Sequence, residues 1–271
     1  MHEGELEESG GKVSGRQIDE KVEQSLREAL EGFADSYVII GGAACSIVMK
    51  RDGYAFRATR DIDMVVRTEG HLRAFAERLW AYINAGRYRY GQRSRHTPNV
   101  YRFTDPEEDD YPAIIELFSC HPDFELKLDN SKTPIHIADD IESLSAIVLD
   151  DEYYALLQQG QIVSEGLSVL DESYIIPFKA KAWLDLNRRR STGEHVDASD
   201  INKHKKDVFR LAQTLDESAM VHLAGAPHND MAEFLDRMKD EDVPLKQIGI
   251  QLPKRYLIDL MRSVYDCAVS D

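Results

Sequence analysis

Two aspartates one residue apart, Asp61 and Asp63, open the alternating run Asp61-Ile62-Asp63-Met64-Val65-Val66. Side chains at i and i+2 of a strand project to one face, so the two carboxylates stand together while Ile62 points away. Like charges that close disfavour ionisation, and a divalent cation between them removes the conflict. Mg²⁺, or Mn²⁺ in its place, suits such a pair, because hard ions take oxygen ligands and commonly bind one or two carboxylates plus phosphate oxygens. Upstream, Gly41-Gly42 follows the apolar run 37–40. Glycine lets the backbone approach a ligand closely, and the start of a following helix favours negative charge, so this turn is a candidate phosphate cradle. A third carboxylate, Glu116, is set in the apolar run Ala113-Ile114-Ile115-Glu116-Leu117-Phe118. An ionised group there is costly unless it is paired or metal-bound. Other readings exist for each: a surface ion pair of Asp61 with Arg57 or Arg60, a plain strand-to-helix turn at the glycines, and an arginine partner for Glu116.

The elements that must position these residues follow from periodicity. Residues 16–33 carry Ile18, Val22, Leu26, Ala29, Leu30 and Phe33 at helical spacing, and residues 69–84 repeat the pattern with Leu72, Phe75, Ala76, Leu79, Trp80 and Ile83. Strands are expected at 37–40, 61–66, 88–92, 100–104 and 113–118, with the acidic stretch 106–112 as a solvated connection. Residues 133–169 hold short apolar runs that complete the sheet and its edge, and Asp150-Asp151-Glu152 starts a helix. From Ile176 onward the spacing is helical, over 177–190, 199–215, 229–239, a short piece near Leu245, and 253–268. Pro177 and Pro253 suit first-turn positions. The fold class is α+β: a mixed sheet with flanking helices, followed by a C-terminal helical bundle. The expected division is a frayed acidic tail over 1–15, a sheet domain over 16–170 and a helical domain over 171–271.

Composition narrows the partners. With 42% hydrophobic and 30% charged residues, the 271-residue chain reads as a soluble globular protein able to bury a core. No stretch reaches the apolar length of a membrane span and no signal pattern opens the chain, so the expected location is cytoplasmic, with no membrane partner. Cys45, Cys120 and Cys267 lack Cys-x-x-Cys spacing, which argues against both a disulfide framework and a zinc site. A net charge of −16 excludes a broadly basic nucleic-acid face, so any contact with RNA must be local. Two patches qualify. One is Arg87, Arg89, Arg93, Arg95 and His96 among Tyr88, Tyr90 and Tyr101, which reads equally as a charged edge strand. The other is Arg188-Arg189-Arg190 with Lys203, Lys205 and Lys206.

A strand ending in Gly41-Gly42, a short helix, and Asp61-Ile62-Asp63 on the next strand resemble the signature of the polymerase-beta-like nucleotidyltransferases. Arg57, Thr59 and Arg60 just before the pair are similar to the AbiEii-type group, which includes toxins of toxin–antitoxin systems. The resemblance implies that Asp61, Asp63 and Glu116 are metal ligands and catalytic residues. It also implies a nucleoside triphosphate as donor, a hydroxyl of RNA or protein as acceptor, and a cognate antitoxin as partner. It assigns Gly41, Gly42, Ser46 and Arg60 to the nucleotide. Residues 177–188 and 203–211 resemble two further family segments: Lys179 or Lys181 is then the phosphate contact, Lys206 adds to nucleotide binding, and Asp207 joins the catalytic set. Arg210 departs from the pattern, standing where the family has another aspartate, and Glu116 stands where aspartate is commoner. Solvated i, i+4 ion pairing is the other account of these helices. The competing function is a nucleotide-binding or partner-binding module of the same fold without turnover.

Overall fold

The computed structural model describes residues 20–57, 59–67, 71–89, 100–119 and 150–267. The acidic tail, Tyr90, Arg93, Arg95, His96, Cys120 and the runs at 133–149 lie outside them.

A six-stranded mixed sheet, in the order β3-β4-β2-β1-β6-β5, forms the first half of the fold. β1 (Tyr37–Ile40) is buried along its whole length, as a strand of four apolar residues must be. It pairs antiparallel with β2 (Asp61–Val66) and parallel with β6 (Leu167–Leu170). β2 runs parallel to β4 (Ile114–Ser119), which is antiparallel to β3 (Val100–Thr104). β5 (Gln161–Ser164) closes the other edge against β6. Of the strand expected at 88–92, the described part is an isolated bridge between Arg89 and Thr104.

Helices cover the sheet. α1 (Glu20–Ala29) and α3 (Leu72–Ala85) present their apolar stripes to it, with Phe75 stacked on Tyr37 at 5.7 Å between ring centroids. α2 (Gly41–Arg51) leaves β1 without a linker, and α4 (Asp151–Gln159) begins at Asp150, whose side chain accepts from the Glu152 and Tyr153 amides.

The C-terminal part is helical: α5 (Glu172–Ser191), α6 (Ala198–Ala212), α7 (Gly225–Met238), a 3₁₀ turn (Leu245–Ile248) and α8 (Lys254–Val264). α5 packs on α6, α7 and α2 and so joins the two parts. Pro177 is not in a first turn. α5 starts five residues before it because Asp171 caps the Ser173 amide, which places Pro177 inside the helix. A proline there leaves the carbonyl four residues back without its helical donor. That carbonyl, on Ser173, accepts from the Tyr265 hydroxyl at 2.6 Å, so tertiary structure supplies the missing bond.

Candidate functional site

A cavity of ≈ 630 Å³ opens between the sheet and the C-terminal helices. Its sheet wall comes from Gly42, Arg57, Thr59, Arg60, Asp61, Asp63, Arg102 and Glu116. Its helical wall comes from Lys179, Leu186, Arg189, His195, Val196, Asp197, Asp200, Lys203 and His204. Six Lys or Arg residues line it against five Asp or Glu, whereas the whole chain carries 33 against 49. The cavity is therefore a local reversal of the molecule's charge.

The register explains the carboxylate wall. Parallel pairing sets Asp63 beside Glu116, and the antiparallel β3–β4 pair sets Arg102 beside Glu116. The Arg102 Nε lies 3.3 Å from Glu116 Oε1, and the Glu116 side chain is 24% exposed, so this glutamate faces the cavity and has the arginine partner that was the other reading of its place in the sequence. Its neighbours in sequence, Ile115 and Leu117, take the buried face.

Gly41 has φ +68°, and a Cβ there would stand 2.0 Å from Asp63 Oδ2. At Gly42 a Cβ would stand 2.7 Å from Thr59 Oγ1. The glycines thus make room for Asp63 and Thr59 against the start of α2. Gly42 lines the cavity; Gly41, Ser46, Lys181, Lys206 and Asp207 are not among its lining residues.

The donor set suits Mg²⁺ in kind, since Asp61 and Asp63 on one wall offer hard oxygens and such an ion completes its shell with phosphate and water. Among the described residues, no three His, Cys, Asp or Glu side chains are grouped to hold a metal between them. Glu116 is drawn to Arg102 instead.

Behind the helical wall sits a buried ionic knot. Asp207, with no exposed surface, accepts from Arg57 Nε at 3.0 Å and Nη2 at 2.9 Å and from Arg210 Nη1 at 3.2 Å, and Lys179 Nζ lies 3.6 Å away. Burial pushes the Asp207 carboxyl up, but Lys179 and Arg57 outweigh it and hold it below the ordinary carboxylate range. The guanidinium groups of Arg57 and Arg210 both lie over the Phe56 ring, at 5.2 Å and 5.9 Å from its centroid, and the ring attracts each. Arg210 thus serves here as a partner of Asp207.

Of the two lysines left open by sequence, Lys179 lines the cavity and is buried. Lys181 turns elsewhere, to Asp185 at 3.3 Å and Asp230 at 3.2 Å. Much of the second basic patch is neutralised: Arg188 pairs with Asp185, Asp230 and Glu233, Arg189 with Glu194, and Lys205 with Glu241. Sequence reasoning did not single out Arg102 or His204 for the site. Arg102 needed the β3–β4 register, and His204, three residues before Asp207, needed the rotation of α6.

No protein-family model matches this chain. A leucine–tRNA ligase of Bradyrhizobium diazoefficiens is 28% identical over 124 residues, which is 44% of this chain and 14% of that protein's length. Among solved structures, an antigenic nucleotidyltransferase-like protein from Paracoccidioides brasiliensis has a TM-score of 0.40 at 16% identity, covering 86% of this chain and 93% of its own. JHP933 from Helicobacter pylori also has a TM-score of 0.40, at 13% identity, covering 90% of this chain and 88% of its own.

Proposed function

We propose that the chain is a nucleotidyltransferase of the polymerase-beta-like kind, moving a nucleoside monophosphate from a triphosphate to a hydroxyl acceptor. The observation that supports this reading is the meeting of Asp61, Asp63 and Glu116 with Lys179, Arg57 and Lys203 in one cavity of an otherwise acidic molecule. Carboxylates alone would read as a cation site and cations alone as an anion site. Together they suit a phosphate chain carried with its metal.

In this reading Asp61 and Asp63 would hold Mg²⁺, with Glu116 as the further candidate ligand. Bound there, the ion supplies neutralisation of phosphate charge in the transition state. Lys179 and Arg57 attract the β and γ phosphates and stabilise the charge that develops on the departing pyrophosphate. The acceptor hydroxyl oxygen bonds to the α-phosphorus, the bond from that phosphorus to the bridging oxygen breaks, and pyrophosphate leaves. Glu116 is the proton acceptor for the hydroxyl. Asp207 acts through others: fixed beneath the wall, it orients Arg57 and Lys179 and is a positioning residue. An AbiEii-type toxin acting on RNA or protein in the cytoplasm, restrained by an antitoxin, is the finer form of this proposal and rests on the sequence resemblance.

The Arg102–Glu116 ion pair favours a second reading, nucleotide binding without turnover, because it occupies the carboxylate that chemistry would use. Purified protein incubated with each α-labelled triphosphate, Mg²⁺ and total cellular RNA or protein separates the two. Transferred label that falls at least a hundredfold in Asp61→Ala and Asp63→Ala is the expected result. Binding of triphosphate with no label transferred and no pyrophosphate released would leave the binding module.

A further inference from the structure

His204 has no surface exposed to solvent, yet it forms part of the cavity wall. Both its ring nitrogens are buried, and neither has a hydrogen-bond partner among the described residues. Leaving such groups unpaired is costly, so a wall residue in this state has hydrogen-bonding capacity to offer a ligand. Burial, then Lys179 and Lys203 beside it, hold the imidazole well below its usual pKa, so it is neutral. Asp207 and Arg57, the other charged neighbours, act in opposite directions on it.

A neutral imidazole offers one donor and one acceptor. A phosphate oxygen only accepts, so it satisfies half of the ring, and the lysines and arginines of the wall already serve phosphate. A group that both donates and accepts is the match: a ribose hydroxyl or the edge of a nucleobase. We propose that His204 binds the uncharged nucleoside part of the ligand and so sets which nucleotide the cavity holds. This rests on the nucleotidyltransferase reading of the same cavity. The ring lines the cavity with no surface open to solvent, so contact with a ligand requires a neighbouring side chain to move aside.

The test compares binding of the four nucleoside triphosphates with that of inorganic tripolyphosphate, both with Mg²⁺, to wild type and to His204→Phe. The expected result is a loss of about tenfold for at least one nucleoside triphosphate, roughly one hydrogen bond, with tripolyphosphate unchanged. Equal losses for both ligands assign His204 to the phosphates or to the fold, and no loss for either leaves an ordered water as the ring's partner; each overturns the proposal. Deoxy-ribose triphosphates that no longer distinguish wild type from variant locate the contact at a hydroxyl. A loss that depends on the base locates it at the base edge. A histidine-labelled wild-type sample gives a readout independent of the variant's folding. The His204 ring nitrogens should shift with triphosphate and not with tripolyphosphate, and an unmoved signal with triphosphate overturns the proposal. Should wild type bind neither ligand, the underlying reading of the cavity fails, a result distinct from a failure at His204 alone.

Discussion

One carboxylate serves three cations at Asp207, and that imbalance is informative. Arg57, Lys179 and Arg210 converge on it, and two of the three also line the cavity. Lys179, at 3.6 Å, is the most loosely held, which leaves its ammonium available to a phosphate. Replacing Asp207 by Asn should destabilise the protein by about 3–5 kcal/mol at neutral pH, because it strands buried cations without their counter-charge. The pH dependence has a definite sign. A carboxyl held below its ordinary range contributes stability in full above about pH 4, and that contribution disappears as pH falls through the lowered folded value. Urea unfolding of wild type and Asp207→Asn from pH 7 to pH 3 should show a gap that narrows in acid, and a gap constant down to pH 3 would rule this account out. The family resemblance assigned Asp207 to the site through its Lys206-Asp207 motif, and the structure puts it behind the cavity wall rather than in it. Sequence could not display the burial, since helical spacing says which residues share a face but not what that face meets.

Elements were legible where period and punctuation agree. The apolar run at 37–40 and the alternation at 61–66 became β1 and β2 with those bounds, and Asp150 capped α4 as its acidic start implied. Contacts between distant elements were not legible, because no local signal encodes the parallel β2–β4 register that sets Asp63 beside Glu116, nor the hydroxyl of Tyr265 that lets α5 run through Pro177. The turn from β1 into α2 shows how tightly such contacts are drawn. Gly41 is left-handed at φ +68°, and a Cβ there would collide with the Asp63 carboxylate. Gly249 is left-handed too, at φ +84°, with nothing within 4 Å of its Cβ position. Alanine at either site should cost about 1–2 kcal/mol of backbone strain. Gly41→Ala should in addition displace Asp63 and abolish nucleotide transfer, whereas Gly249→Ala should leave the rate unchanged. Melting temperatures and transfer rates of the two variants, measured side by side, check this, and full activity in Gly41→Ala would contradict the role given to Asp63.

At the scale of the whole molecule, the expected division at 170/171 meets a chain that passes from β6 to α5 through Asp171 alone. A single apolar cluster runs from Val22 on α1 to Cys267 beyond α8, with β1, β2 and α5 all contributing. The cavity also takes its acids mainly from one part and its buried lysine from the other, and the Arg57–Asp207 pair bridges them. Two halves that share a core have no reason to melt apart. Calorimetry should therefore show one cooperative unfolding transition, and a triphosphate with Mg²⁺ should raise the whole of it, because a ligand held by both walls stabilises only the joined state. At a free concentration a hundred times Kd the shift corresponds to about 2.7 kcal/mol. Two separate transitions, with the ligand moving one of them, would mean that the helical part is an independent unit and that one wall suffices for binding. In that case Lys179 and His204 would lose the roles assigned to them, whereas Asp61 and Asp63 would keep theirs.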